Sequence, residues 1–269
     1  MFFADHELAR RLERADAAGA VEFVEAHALR HPEIGAAWID VGDGRVVFAG
    51  AESPVTQAIG LGMSGAVTSA EMSRVESFLR TRGAMVQVEV CPLADGSLLD
   101  ILNVGKYGLA QHSNVLVCLL NEAGAEPAAD REINVRTVAS AQVAEWSRAI
   151  AGGFFGDDEV PPVVYDDIAT FFAMPSSTCF LADVGRQVVG GGVVAVHDGV
   201  ASLFAHGTHP EYRNRGVQSA IIPPSLALAR QSGCDVAMAC TLPGSVSQRN
   251  LERHGFRVAY TRSRMVRGE

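Results

Sequence analysis

Residues 209–220 read HPEYRNRGVQSA, and this stretch decides how the second half of the chain folds. An apolar run at 200–205 precedes it, and a mostly apolar run at 217–229 follows it. The order predicts a strand, a basic turn with one glycine, and a helix. The first backbone amides of a helix have no partner within the helix, and the helix dipole favours negative charge there. We therefore predict that this turn binds a pyrophosphate.

The residue types in the turn suit an anion. Gly216 lets the backbone approach a ligand without a side chain in between. Arg213 and Arg215 supply fixed positive charge and paired donors that match phosphate oxygens. The alternative is an accidental basic turn in a structural α/β protein.

The composition limits the class of protein. A chain of 269 residues, 48% of them hydrophobic, can form one large domain or two ordinary ones with sizeable cores. The net charge of -9 argues against nucleic acid or an anionic membrane as the main partner. No long uncharged apolar stretch occurs, and Asp5, His6 and Glu7 closely follow the first residues. We expect neither a membrane span nor secretion, and a cytoplasmic location.

The cysteines and histidines indicate no metal site. The five cysteines are scattered and form no CxxC pair, as is typical of reduced core thiols. Only His27 and His31 have a ligand-like HxxxH spacing on a predicted helix, with no cysteine near them and Pro32 ending the helix. We interpret these two histidines as part of a solvated helix end.

Helix and strand patterns alternate through both halves, which predicts an α/β fold. The stretch 121–132 combines small and acidic residues with a proline and is predicted to be a linker. It separates a domain at 1–120 from a domain at 133–269. Within the second domain, Gly190-Gly191-Gly192 predicts a glycine-bearing strand with a bulge. Pro223 and Pro224 predict a kink or an early break in the helix after the turn.

The two halves share an order of parts. A helix, Gly83, a strand, a helix and Gly108 correspond to a helix, Gly233, a strand, a helix and Gly255. Either the chain contains a duplication, or two mixed α/β domains share the pattern by coincidence.

The halves differ at the decisive turn. In the first half Thr68 and Glu71 have the spacing of a capping box, which satisfies helix-start amides with the protein's own side chains. Glu71 also places negative charge where a phosphate would lie. We predict that the first half is a copy that does not bind phosphate.

The second half, about 133–266, resembles the GNAT superfamily of acyl-CoA-dependent N-acyltransferases. The family signature Arg/Gln-x-x-Gly-x-Gly/Ala is matched at 213–218, except that Gln218 replaces the usual glycine or alanine. The preceding Pro-Glu-Tyr-Arg at 210–213 and the Asn-x-x-x-x-Gly-Phe at 250–256 are also common in the family. The first half resembles a degenerate copy, as in tandem members. The resemblance implies two GNAT-like domains, each a mixed, mostly antiparallel sheet flanked by helices.

The resemblance also implies a ligand and its site. The co-substrate would be acetyl-CoA or a related acyl-CoA, and the acceptor a primary amine of a small molecule, in a monomer or homodimer. Amides of the turn would bind the pyrophosphate, the strand edge at 206–208 the pantetheine amides, and Asn250 the pantetheine arm. The implied cofactor site comprises His206, Gly207, Thr208, Arg213, Asn214, Arg215, Gly216, Val217, Gln218, Ser219 and Asn250.

The groups that would move a proton are poorly represented. Leu251 stands where the family usually has a tyrosine acid. His206 is the titratable side chain of the strand before the turn, and it is either a general base or a structural histidine. A non-catalytic acyl-CoA sensor or interaction module is therefore the alternative to a transferase.

Two further features bear on the acceptor. The aromatic residues at 154, 155, 165, 171 and 172 either line an acceptor pocket or pack in the core. The acidic run at 157–159 either attracts a cationic amine or is solvated.

Overall fold

A computed structural model describes residues 3–121, 132–156 and 160–267. Contacts divide the chain into two compact units, one of Met1–Val115 with Val258–Glu269, the other of Leu116–Arg257. The predicted domains differ from these units, because they assign the last strand to the second domain. Most of the predicted linker, 122–131, lies outside the described residues.

Helices and strands alternate along the described residues, as the sequence patterns predict. In chain order the elements are α1 (His6–Arg30), β1 (Ala37–Val41), β2 (Gly44–Phe48), β3 (Gln57–Ile59), α2 (Ser69–Arg80), β4 (Val86–Val90), α3 (Gly96–Val104), β5 (Gly108–Leu119), β6 (Ile133–Thr137), α4 (Val143–Phe155), α5 (Pro162–Ala173), β7 (Ser177–Val184), β8 (Gln187–His197), β9 (Val200–Thr208), α6 (Val217–Gln231), β10 (Val236–Thr241), α7 (Val246–Arg253) and β11 (Arg257–Arg267).

The first unit is a mixed sheet with the strand order β1-β2-β3-β4-β11-β5. Strands β1 and β2, β2 and β3, and β4 and β11 pair antiparallel, whereas β3 and β4 are parallel. Val75 and Leu79 of α2 pack with Val88 and Leu98 in its core. The final strand of the chain is therefore an interior strand of the first unit.

Arginines of β11 bind carboxylates within this unit. Arg262 is buried and its Nε donates to Glu13 Oε1 at 2.8 Å, while Arg264 Nε donates to Glu89 at 2.6 Å. Tyr260 donates its hydroxyl to the same Glu13 oxygen at 2.8 Å. Burial raises the pKa of Glu13, and Arg262 opposes that rise. These bonds fix the register of β11 with buried charge.

The second unit is a sheet in the order β10-β9-β8-β7-β6, with the end of β5 next to β10. Strands β6 to β9 pair antiparallel in succession, and β9 pairs parallel with β10. Ile221 and Leu226 of α6 cover one face of the sheet, and Trp146 and Ile150 of α4 cover the other. The predicted mixed, mostly antiparallel sheet flanked by helices is confirmed.

The glycine run in β8 lets neighbouring groups approach closely. The register between β8 and β9 shifts between Gly191 and Val193, so the predicted bulge is confirmed. A Cβ at Gly192 would lie 2.4 Å from the His206 ring, and one at Gly190 would lie 2.6 Å from the carbonyl oxygen of Gly207. The run is needed for packing rather than for holding phosphate.

Helix α6 runs from Val217 to Gln231 with Pro223 and Pro224 inside it. The expected early break is therefore wrong. Ile221, Ile222 and Pro223 are buried in the core of the second unit. Burial of this apolar face outweighs the two hydrogen bonds that the prolines remove.

Candidate functional site

The turn before α6 leaves the helix start open. Asn214 and Gly216 adopt left-handed backbone conformations with φ of 62° and 83°, and Gly216 is the N-cap. Ala220 N donates to Gly216 O at 2.9 Å, which is the first hydrogen bond of the helix. Among the described residues, no side chain caps this helix. The amides of the first turn, at 217–219, therefore remain available to an anion.

The corresponding helix of the first unit, α2, is closed by its own side chains. Thr68 Oγ1 accepts from the Glu71 amide at 3.2 Å, and Glu71 Oε2 accepts from the Thr68 amide at 2.8 Å. Hydrogen bonds from the backbone and side chain of Thr68 lower the pKa of Glu71. The predicted capping box is confirmed, and a carboxylate stays beside this helix start. A smaller pocket here, about 180 Å³, is lined by Glu71 and Asp43.

A cleft of about 670 Å³ lies at the open start of α6. Its walls come from the end of β9, the turn, the first residues of α6 and one face of α7, all within the second unit. The lining residues are Gly153, His206, Thr208, Tyr212, Arg213, Asn214, Gly216, Val217, Gln218, Ser219, Val246, Ser247, Arg249, Asn250 and Arg253. The cleft is large enough for a substantial part of a cofactor.

Strands β9 and β10 separate near the cleft. Their parallel pairing covers 200–202 and 236–238, although β9 continues to Thr208 and β10 to Thr241. Ala205 has a φ of 51°, which marks the bulge in β9. Beyond the bulge, Gly207 and Thr208 pair with β8 on the other side. The β10-facing edge of β9 is thus open to an extended ligand, as the family resemblance implies.

Most of the predicted cofactor residues line the cleft, but Gly207 and Arg215 do not. A Cβ at Gly207 would lie 2.7 Å from the carbonyl oxygen of Ile150, so this residue is closed off by α4. The Arg215 guanidinium lies over the Tyr212 ring, 5.0 Å from its centroid. Arg213 does line the cleft and donates to the carbonyl of Gly153 at 3.0 Å.

Gln218 connects the two helices of the cleft. Its Nε2 donates to Ser247 Oγ at 2.8 Å, and its Oε1 accepts from Asn250 Nδ2 at 2.9 Å. Both partners lie on α7, three residues apart and so on one face. A glycine or alanine, usual at this position of the signature, could form neither bond. The departure from the family pattern is thus a link between α6 and α7.

Sequence reasoning missed the contribution of α7 beyond Asn250. Val246, Arg249 and Arg253 also line the cleft. Their spacing of three and four residues on a short amphipathic helix is the signal that could have identified them.

His206 lies in the cleft wall, over Gly192. The residue is partly accessible, but its Nε2 atom is buried and has no hydrogen-bond partner among the described residues. Burial lowers the pKa of the imidazole to about 4. The ring is therefore neutral near pH 7 and has an unpaired nitrogen.

Potential proton donors are few at this cleft. Leu251, at the position usual for tyrosine, is buried in the core of the second unit. Tyr212 lines the cleft and donates its hydroxyl to Gln187 Oε1 at 2.8 Å. Tyr260 lies in the first unit, where burial and the nearby Glu13 carboxylate raise the pKa of its hydroxyl.

The aromatic residues considered for an acceptor pocket fall into two groups. Tyr165, Phe171 and Phe172 pack against the core beneath α4 and α5, and Phe171 contacts the Phe204 ring edge-on at 5.1 Å. The residues at 154 and 155 are exposed at the end of α4, next to the cleft residue Gly153. The acidic run at 157–159 lies outside the described residues.

The described part of the chain contains no group of three or more His, Cys, Asp or Glu side chains arranged to hold a metal ion. His27 is buried and stacks on Phe23 with ring centroids 5.5 Å apart, so interpreting it as part of a solvated helix end is wrong. None of the described helices is long and apolar enough to cross a membrane.

The model of the Acetyltransferase (GNAT) family matches residues 141–256, which include the open turn, the separated strands and α7. This part of the chain is therefore a GNAT-family domain. None of the curated proteins matches the chain.

Solved structures share the fold over more of the chain. A GCN5-related N-acetyltransferase from Kribbella flavida is 15% identical, with a TM-score of 0.63 over 91% of this chain and 95% of that one. A second from Sphaerobacter thermophilus is 14% identical, with a TM-score of 0.59 over 78% and 71%. A tandem GNAT protein from the clavulanic acid biosynthesis pathway is 10% identical, with a TM-score of 0.59 over 83% and 77%. These likenesses show that the chain shares the GNAT fold, and one of the similar structures is a tandem GNAT protein.

Proposed function

We propose that the protein is an N-acetyltransferase that transfers the acetyl group of acetyl-CoA to a primary amine of a small acceptor. The observation that carries this proposal is the uncapped start of α6, which opens into a cleft beside an unpaired strand edge. A diphosphate at the amides of 217–219 would leave the pantetheine arm pointing along the open edge of β9. The thioester would then lie near His206.

Within this proposal the reaction is a direct attack. The amine nitrogen attacks the thioester carbonyl, the C–N bond forms, the C–S bond breaks, and one proton passes from the amine to the departing thiolate. Holding both reactants in one cleft supplies the main rate gain. His206 is the candidate base; because its Nε2 is buried against Gly192, the ring would have to rotate for that nitrogen to accept a hydrogen bond from the amine. With a pKa of about 4 it is a weak base and acts mainly by orienting the amine.

The test introduces into α6 the carboxylate that caps the start of α2. Ser219 is the third residue of α6, the position that Glu71 occupies in α2. Ser219→Glu would place a carboxylate at the helix start, which supports folding and repels a diphosphate. Ser219→Gln is the matched neutral control.

Two measurements decide the outcome. Calorimetry should show CoA binding by the unmodified chain and by Ser219→Gln, and loss of binding by Ser219→Glu. Release of free thiol from acetyl-CoA should then be followed over a panel of small amines. Absence of CoA binding by the unmodified chain, or binding that Ser219→Glu leaves unchanged, contradicts the proposal.

A non-catalytic acyl-CoA sensor or interaction module is the second candidate function. Burial of Leu251 where a tyrosine acid is usual favours it. CoA binding without thiol release for any amine would support the sensor, and turnover that Ser219→Glu abolishes would exclude it.

A further inference from the structure

Two exposed arginines line the same cleft as the start of α6. Arg249 and Arg253 lie four residues apart on α7, so their side chains emerge from one face of the helix. Within the ranges that the structure describes, neither guanidinium has a carboxylate partner. Glu252, the acid between them, accepts from Gln248 instead.

The pair adds local positive charge to the cleft in a chain whose net charge is -9. Some arginines elsewhere are neutralised, for example Arg45 by Asp40 at 2.7 Å and Arg136 by Asp183 at 2.8 Å, and others, such as Arg186, lie exposed outside the cleft. Like charges four residues apart on a helix repel each other. An unneutralised pair facing a cleft is instead well placed to bind an anion, because Arg matches phosphate oxygens with two parallel donors.

The arginine pair is held in place relative to the start of α6. Gln218, the second residue of α6, bonds to Ser247 and Asn250. Asn250 lies directly after Arg249 on the same helix. The link between Gln218 and α7 therefore fixes the spacing between the open amides of α6 and the two guanidinium groups. A single ligand with two separate anionic groups can engage both places.

We propose that Arg249 and Arg253 form a second anion subsite, which binds a phosphate monoester on the ligand whose diphosphate lies at α6. This inference rests on the proposed function, in which the ligand is an acyl-CoA, and it assigns the arginine pair to the 3′-phosphate. The chain would then distinguish CoA from dephospho-CoA, which lacks that phosphate and keeps the diphosphate and pantetheine arm. The arginines determine which cofactor binds and take no part in acyl transfer.

The test is calorimetric titration of the full chain with CoA and with dephospho-CoA. The unmodified chain should bind CoA roughly 10- to 100-fold more tightly, as charge-assisted hydrogen bonds to one phosphate imply. The double variant Arg249→Gln with Arg253→Gln should lose this preference and bind dephospho-CoA within about twofold of the unmodified chain. Arg186→Gln, at an exposed turn of the same unit, is the control and should keep the preference. Unfolding temperatures establish that each variant is folded.

The outcomes separate this inference from the proposed function. Equal affinity of the unmodified chain for both ligands overturns the second subsite and leaves the CoA site standing. Equal weakening of both ligands in the double variant also overturns it, because the arginines would then act only through general charge. Failure of the unmodified chain to bind either ligand overturns the proposed function and this inference together.

Discussion

Acidification should destabilise the protein through His206. Burial lowers the pKa of this imidazole from its ordinary value, roughly 6.5, to about 4. Burial disfavours protonation of His206 in the folded state but not in the unfolded state. The contribution of the neutral imidazole to folding stability is therefore fully present at pH values above the pKa of His206 in the unfolded state. It is lost as pH falls toward the folded pKa. A shift of about 2.5 units corresponds to about 3.4 kcal/mol, of which about 2 kcal/mol is lost between about pH 8 and pH 5.

Urea unfolding at those two pH values measures the effect. The comparison is between the unmodified chain and His206→Gln, which removes the titrating group and keeps a polar side chain. The unmodified chain should lose about 2 kcal/mol more stability on acidification than the variant does. His6→Gln, at an exposed position near the N-terminus, is the control and should behave like the unmodified chain. A difference below about 0.5 kcal/mol between the unmodified chain and His206→Gln would refute the reasoning.

Three further predictions follow from contacts in the two units. Gly192→Ala should cost about 1–3 kcal/mol in thermal unfolding, and adding His206→Ala should recover part of it, because the new Cβ meets that ring. Gln218→Met keeps the size of the side chain and loses both bonds to α7, so CoA should bind about 5- to 10-fold more weakly by calorimetry. Arg262→Met should cost about 3–5 kcal/mol in urea unfolding, since Glu13 is left buried without a positively charged partner. The loss should be smaller at low pH, where a Glu13 with raised pKa is protonated.

Each of these has a control and a contradicting result. Gly190→Ala meets the backbone of Gly207, so shrinking His206 should not rescue it. Rescue of both glycine variants would show that the contact with the ring is not the cause. Gln248→Met, on α7 outside the cleft, should leave CoA affinity unchanged, and equal affinity in both glutamine variants would contradict the bridge. For Arg262→Met, a cost that does not change with pH would contradict the role of Glu13.

Local signals gave the helix starts correctly. The capping box of α2 needs only Thr68 and Glu71 three residues apart, and the open start of α6 needs only a glycine N-cap and the absence of such a pair. These features depend on neighbouring residues, so a single sequence contains them. The mixed sheet follows similarly from the order of strand and helix patterns.

Features that depend on residues far apart in the chain could not be predicted from the sequence. Arg249 and Arg253 read as ordinary surface charges until the fold places α7 against the start of α6. The same holds for Gln218, which is a mismatch to a signature in sequence and a link between two helices in structure. No sequence pattern indicates that these positions share a cleft. An early break at Pro223 does not occur because burial of its helix face outweighs the local cost of proline, and that burial depends on the tertiary fold.

The position of β11 determines the order in which the two units can finish folding during synthesis. This strand follows the second unit in sequence, yet it lies between β4 and β5 in the sheet of the first unit. A ribosome releases its residues only after the whole second unit has been synthesised. Synthesis of the first unit therefore begins before that of the second unit and ends after it. Until β11 has been synthesised, β4 and β5 lack the strand that lies between them. Premature termination near residue 257 would leave the first unit without an interior strand and its carboxylates without Arg262 and Arg264.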